Sequence, residues 1–135
     1  MQSVRLRGIL SLLLVISVIG IDIFTKQIVS SLDSRIDINA IVTIYVIKNY
    51  GIAFSMLDEL TMDGLIILNV IIIFILLFLI VEIIKNINSS INYILGLSFV
   101  LGVCMSNFVE RLDDFSLTDL IIIHYNDLYF HDIFN

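Results

Sequence analysis

Three long apolar runs, residues 9–24, 65–84 and 91–109, alternate with short polar stretches. A helix that crosses a bilayer needs about 20 mostly apolar residues. The second and third runs meet this; the first is short and needs its flanks to complete a span. Threaded through a membrane as alternating helices, the end of the first, the start of the second and the end of the third emerge on one side. Asp22, Lys26, the 49–55 segment, Asn107, Arg111 and Asp119 all fall on that side. Ionisable groups gathered at one rim of a membrane protein point to chemistry or binding there.

The stretch 36–47 changes character. It is dense in β-branched residues and starts with apolar/polar alternation, which predicts one or two strands. Strand edges cannot sit in lipid, so this piece is expected on the outer surface, paired with an extended partner such as 120–125. Residues 85–90 form a short polar hairpin that makes the second and third helices antiparallel neighbours. Glu82 and Lys85 beside it suit an interfacial ion pair. On the third helix, Ser98, Gly102 and Ser106 repeat every four residues, a register that lets helix backbones approach closely in lipid. The expected fold is an all-α transmembrane bundle with a small extracytoplasmic β-sheet. Residues 1–135 form a single integral-membrane domain.

Composition agrees with the pattern. The chain of 135 residues is 59% hydrophobic and 15% charged. A soluble domain is nearer half apolar, with about a quarter of its residues charged. The net charge is −6, and no basic patch exists to neutralise phosphates, which excludes nucleic acid as a partner class. Arg5, Arg7 and Lys85 fall on one side; Lys26, Arg35, Lys48 and Arg111 fall on the other, so the basic count alone does not set orientation. The N-terminus is placed inside because Arg5 and Arg7 flank the first helix, which usually dominates. No small-x-small site closes the first run, which argues against a cleaved signal peptide. Cys104, the only cysteine, sits mid-run and reads as a small buried hydrophobe. His124 and His131 match no zinc spacing, so no metal is expected.

Asp22 and Lys26 lie at i and i+4, on one helix face and in the better order for pairing. A carboxylate that near the apolar layer usually has a task, although an ion pair with Lys26 snorkelling to the headgroups accounts for it equally. Asn49 offers donors and an acceptor, and Gly51 permits backbone geometry that other residues resist; together they also suit an ordinary turn before a helix. Asn107 and Arg111 are again at i and i+4, with Glu110 between them. The arginine either snorkels or fixes a carboxylate, for which Glu110, Asp113, Asp114 and Asp119 are candidates.

Five segments occur in a telling order: 22–26 (Asp-Ile-Phe-Thr-Lys), 49–55 (Asn-Tyr-Gly-Ile-Ala-Phe-Ser), 106–112 (Ser-Asn-Phe-Val-Glu-Arg-Leu), 118–121 (Thr-Asp-Leu-Ile) and 134–135 (Phe-Asn). Set between these apolar runs, they resemble the lipoprotein signal peptidase (signal peptidase II) family over the whole chain. The resemblance implies an aspartyl endopeptidase of the bacterial inner membrane, multi-pass, with its active site at the outer face and no cofactor. Its partners would be a diacylglyceryl-modified prolipoprotein, cut just before the lipid-modified cysteine, and membrane lipid.

By the same resemblance Asp119 is one of two catalytic aspartates. Asn107 and Arg111 help to hold the substrate backbone and organise the site, and Asn49 and Asn135 fall on further motif asparagines. Gly51, Asp22 and Lys26 complete the set of binding or organising residues. The chain departs from the family pattern in having Ser106 for Gly, Glu110 for Asp, and Thr118 and Leu120 around Asp119. The second aspartate of the Phe-Asn-x-Ala-Asp pattern would fall three residues past Asn135, followed by a fourth helix, so the sequence is expected to be truncated at its C-terminus.

Peptide hydrolysis by two carboxyls needs one acid and one base sharing a proton. A lipidated cysteine leaves the bilayer at a cost of about 0.8 kcal/mol per CH₂, so such an enzyme must work at the interface. Two other readings remain: an inactive homologue that binds lipidated peptides, and a small structural subunit of a membrane complex docking through Ser98, Gly102 and Ser106.

Overall fold

The computed structural model describes residues 2–31, 36–39, 41–50, 60–125 and 128–134. It contains three long helices, α1 (Gln2–Ser30), α2 (Met62–Lys85) and α3 (Ile91–Asp114), and four strands, β1 (Ile36–Asp37), β2 (Val42–Asn49), β3 (Leu117–Tyr125) and β4 (Leu128–Phe134). All three helices are long and apolar enough to cross a membrane. The short first run is completed by its flanks: α1 extends over 29 residues, about 40 Å at the helical rise. At most 28% of the most apolar window of any of the three helices is buried, and Phe74, Phe78 and Ile84 are exposed. Surfaces this apolar are stable facing lipid rather than water.

The chain divides into two compact units, a helical one (Met1–Ile23 with Leu68–Phe108) and a sheet-bearing one (Phe24–Ile67 with Val109–Asn135). In the helical unit Leu76, Leu79, Ile83, Ile94 and Leu101 form the buried core, flanked by Val15, Ile72, Leu97, Cys104 and Phe108. Ser90 caps α3, its hydroxyl accepting from the Tyr93 amide at 3.3 Å. The α2–α3 hairpin is gripped from α1: Arg7 Nη1 donates to the carbonyls of Ile87 (3.2 Å) and Ser89 (2.6 Å). Glu82 takes its bonds from Asn86 Nδ2 (2.7 Å) and Tyr93 Oη (2.9 Å). Its described partners are therefore these two, and not Lys85 as the spacing suggested.

The small residues of α3 pack on α1. Ser98 Oγ and Ser11 Oγ lie 2.6 Å apart, both buried. A Cβ on Gly102 would come within 2.9 Å of Val18 Cβ and 3.3 Å of the Val15 carbonyl oxygen. Ser106 donates to the Asp22 carboxylate. Partners on the two helices advance in the same direction, so α1 and α3 run parallel, with α2 returning between them in sequence. The four-residue stripe is thus occupied within the chain, which removes the surface that a docking subunit would have used.

In the sheet-bearing unit the strand order is β1-β2-β3-β4, every neighbour antiparallel. The 36–47 stretch supplies β1 and most of β2, and its expected partner is found as β3, which begins earlier than expected, at Leu117. Strand β4 was not anticipated. It pairs antiparallel with β3, from Tyr125 with Leu128 to Ile121 with Phe134.

Candidate active site

The end of α3 sets the geometry. Phe115, the residue after α3, has φ +61°, the left-handed conformation that terminates helices and usually falls to glycine. Its amide still reaches the Arg111 carbonyl at 3.0 Å. Asp114 then fixes the exit: its Oδ1 accepts from the Ser116 amide (3.0 Å) and hydroxyl (2.5 Å), while Oδ2 pairs with Lys48 Nζ at 3.2 Å. The chain turns sharply, and Ser116 to Asp119 are all buried.

Arg111 lies beneath this turn, only 2% exposed. A buried guanidinium needs compensation on several sides. Its Nη1 donates to the Phe115 carbonyl (3.2 Å) and the Tyr50 carbonyl (3.3 Å), and the negative charges of Glu110 and Asp119 act on it. Asp119 is itself 1% exposed.

Strand register brings the remaining group in. Asn49 pairs with Leu117 and Ile47 with Asp119, while Ile44 pairs with Ile121. Three steps along β2 match two along β3, so β2 carries one extra residue, a bulge between Ile44 and Ile47. Directly opposed residues share a face, and alternate residues along a strand do too. Ile47, Asn49, Leu117 and Asp119 therefore lie on one face, with Asn49 also 1% exposed. On the outer side of β2, Thr43 Oγ1 donates to Asp37 Oδ1 at 2.6 Å and ties down β1.

Lys26, near the end of α1, is 7% exposed and pairs with Glu110 Oε2 at 2.8 Å. Glu110, one residue before Arg111, thus reaches Lys26. The sheet-bearing unit holds Lys26, Asn49, Arg111 and Asp119 from the expected set. Asp22 and Asn107 belong to the helical unit, Asp22 bonded by Ser106 next to Asn107. Gly51 and Asn135 lie outside the described residues. Sequence reasoning passed over the Lys48–Asp114–Ser116 clamp, though an Asp followed two residues later by Ser is a known turn signal.

The fold, three membrane-length helices and a four-stranded antiparallel sheet, is similar to that of solved bacterial membrane enzymes. One, solved by the in meso method at 2.3 Å, superposes with TM-score 0.63 at 20% identity, over 91% of this chain and 76% of that one. Another, at 1.9 Å, gives 0.60 at 17% identity over 90% and 80%.

Residues 14–135 match the profile described as signal peptidase (SPase) II, and the chain belongs to that family. Lipoprotein signal peptidases of Bartonella are similar to it. That of Bartonella henselae is 29% identical over 93 residues, which is 69% of this chain and 55% of the relative. That of Bartonella quintana is 29% identical over 130 residues, 92% of this chain and 74% of the relative. The chain thus spans just over half the length of the first of these relatives.

Proposed function

We propose that this protein is a membrane-embedded aspartic endopeptidase that cuts bacterial prolipoproteins before their lipid-modified cysteine and releases the signal peptide. The observation that carries the reading is a carboxyl, Asp119, almost wholly buried on the sheet face it shares with the buried Asn49, within the field of a buried arginine. Burying a charged pair is expensive, and buried ionisable pairs cluster at functional sites.

In this reading Asp119 is one of two carboxyls. The ionised member takes a proton from water as the water attacks the scissile carbonyl, and the protonated member donates to the carbonyl oxygen. By the family pattern the second carboxyl follows the Phe-Asn pair of residues 134–135. Arg111 and Asn107 help to hold the substrate backbone and organise the site, and Asn49, Gly51, Asn135, Asp22 and Lys26 complete the set of binding or organising residues. The sheet faces the outside of the inner membrane, where the lipid-modified cysteine of the substrate sits at headgroup level. Arg5, Arg7 and Lys85 face the cytoplasm.

The test is cleavage of a diacylglyceryl-modified prolipoprotein by the full-length protein in lipid. Asp119→Asn is expected to lower the rate by roughly 100- to 10,000-fold. Cleavage that survives this substitution overturns the proposal.

A further inference from the structure

Asn69 belongs to none of the motifs above, yet it occupies the inward stripe of a membrane helix. On α2 the core-facing residues Ile72, Leu76, Leu79 and Ile83 follow one another at steps of four, three and four. Asn69 is the next position back, three before Ile72, so it faces the same interior, and its Oδ1 is buried. An apolar residue at this place would simply have extended the core. A polar side chain inside a membrane bundle is expensive and marks a pathway or a binding group.

The depth of Asn69 is informative. Counted from the α2–α3 turn, Asn69 lies 16 residues before Lys85, and Asn107 lies 16 residues after Ile91. Ile83 with Ile94, and Leu76 with Leu101, are level by the same count to within one residue, and both pairs share the core cluster. The count therefore follows real packing. Asn69 stands level with Asn107, and the Ser106 to Asp22 bond sets α1 at the same height. Each of the three helices contributes to one polar layer: Asp22, Asn69, and Ser106 with Asn107.

We infer that Asn69 is a substrate-binding residue whose carboxamide, with that of Asn107, holds the extended backbone of the incoming peptide. The chemistry fits. A peptide about to be cut must be extended at the scissile bond, and the extended backbone that enters the apolar layer beside it has no water to satisfy its amides and carbonyls. A carboxamide supplies both donors and an acceptor without charge. This assignment rests on the peptidase reading of the protein.

The experiment uses the full-length protein in nanodiscs and a synthetic diacylglyceryl-modified peptide spanning the cleavage site. Binding and cleavage are measured separately. Asn69→Leu, close in volume, is expected to weaken peptide binding and raise KM roughly tenfold, the effect of losing one or two hydrogen bonds, with kcat changed little. Asn69→Ser and Asn69→Gln restore part of the binding. If Asn69→Leu does not fold, Asn69→Ala gives the same readout.

Unaltered peptide affinity in folded Leu or Ala variants, with a shift only in unfolding temperature, would show an interhelical brace and overturn the inference. The Asp119→Asn protein separates the two proposals. If it still cleaves, the catalytic reading fails, while the Asn69 arm is still decided by peptide binding.

Discussion

Among single residues, Lys26 and Arg111 show how a buried charge is placed rather than merely tolerated. Glu110 follows Asn107 and precedes Arg111 on the same helix, so two cations could compete for it. Lys26 holds its Oε2 at 2.8 Å, and Arg111 is turned to the carbonyls of Tyr50 and Phe115 within the field of Asp119. Removing one member of such a pair leaves a charge stranded. Lys26→Met is expected to destabilise the folded protein by about 3 kcal/mol. Adding Glu110→Leu should recover much of that loss. Thermal unfolding of the two single variants and the double variant measures the coupling directly, and additive losses would show that the pair is not coupled. The sequence made Asp22, Lys26, Asn107, Arg111 and Asp119 visible as polar groups out of place among apolar ones. It did not reveal that Lys26 would take Glu110, because that choice depends on a helix more than 80 residues away.

Helices and strands differ in how openly the sequence announced them. The three spans were legible because lipid leaves few alternatives to a helix about 20 residues long. The four-residue repeat of Ser98, Gly102 and Ser106 announced a close helix contact, and the structure supplies its partner, α1. Gly102→Leu is expected to force α1 and α3 apart, at a cost on the order of 1–3 kcal/mol, since even a Cβ there meets Val18 and the Val15 carbonyl. Gly8→Ala and Gly20→Ala, where nothing lies within 4 Å, should be close to neutral. Equal unfolding temperatures for all three variants would contradict the packing. The sheet was only partly legible. β-branched density and alternation found β1 and most of β2, and residues 120–125 of β3 were expected as their partner, but the bulge, the start of β3 at Leu117 and the whole of β4 depend on pairing between distant segments, which local pattern does not encode. Without the bulge, Asn49 would still end its strand, but Ile44 would no longer share its face.

For the whole molecule, orientation is the property the basic residues leave open and the fold makes testable. Arg5, Arg7 and Lys85 belong to the helical unit, in which Arg7 grips the hairpin, and Lys48 and Asp114 belong to the sheet-bearing unit. With Cys104 replaced by alanine, a cysteine at Asn88 should react with an impermeant thiol reagent only from the cytoplasmic side, and one at Lys48 only from the outside. The reverse labelling would invert the proposed topology. The Arg7 clasp has a further consequence for biogenesis. It joins residues 80 and 82 positions apart, and the bonds from α1 to Ser98, Ser106 and Glu110 span 84 to 87 positions. The ribosome delivers the first helix to the bilayer long before any of these partners has been synthesised. During that wait, the spacing of Asp22 and Lys26 lets the two charges neutralise one another on the nascent helix. Their partners on α3, Ser106 and Glu110, arrive only with the third span, so a polypeptide stalled after its second span lacks every one of these contacts to α1.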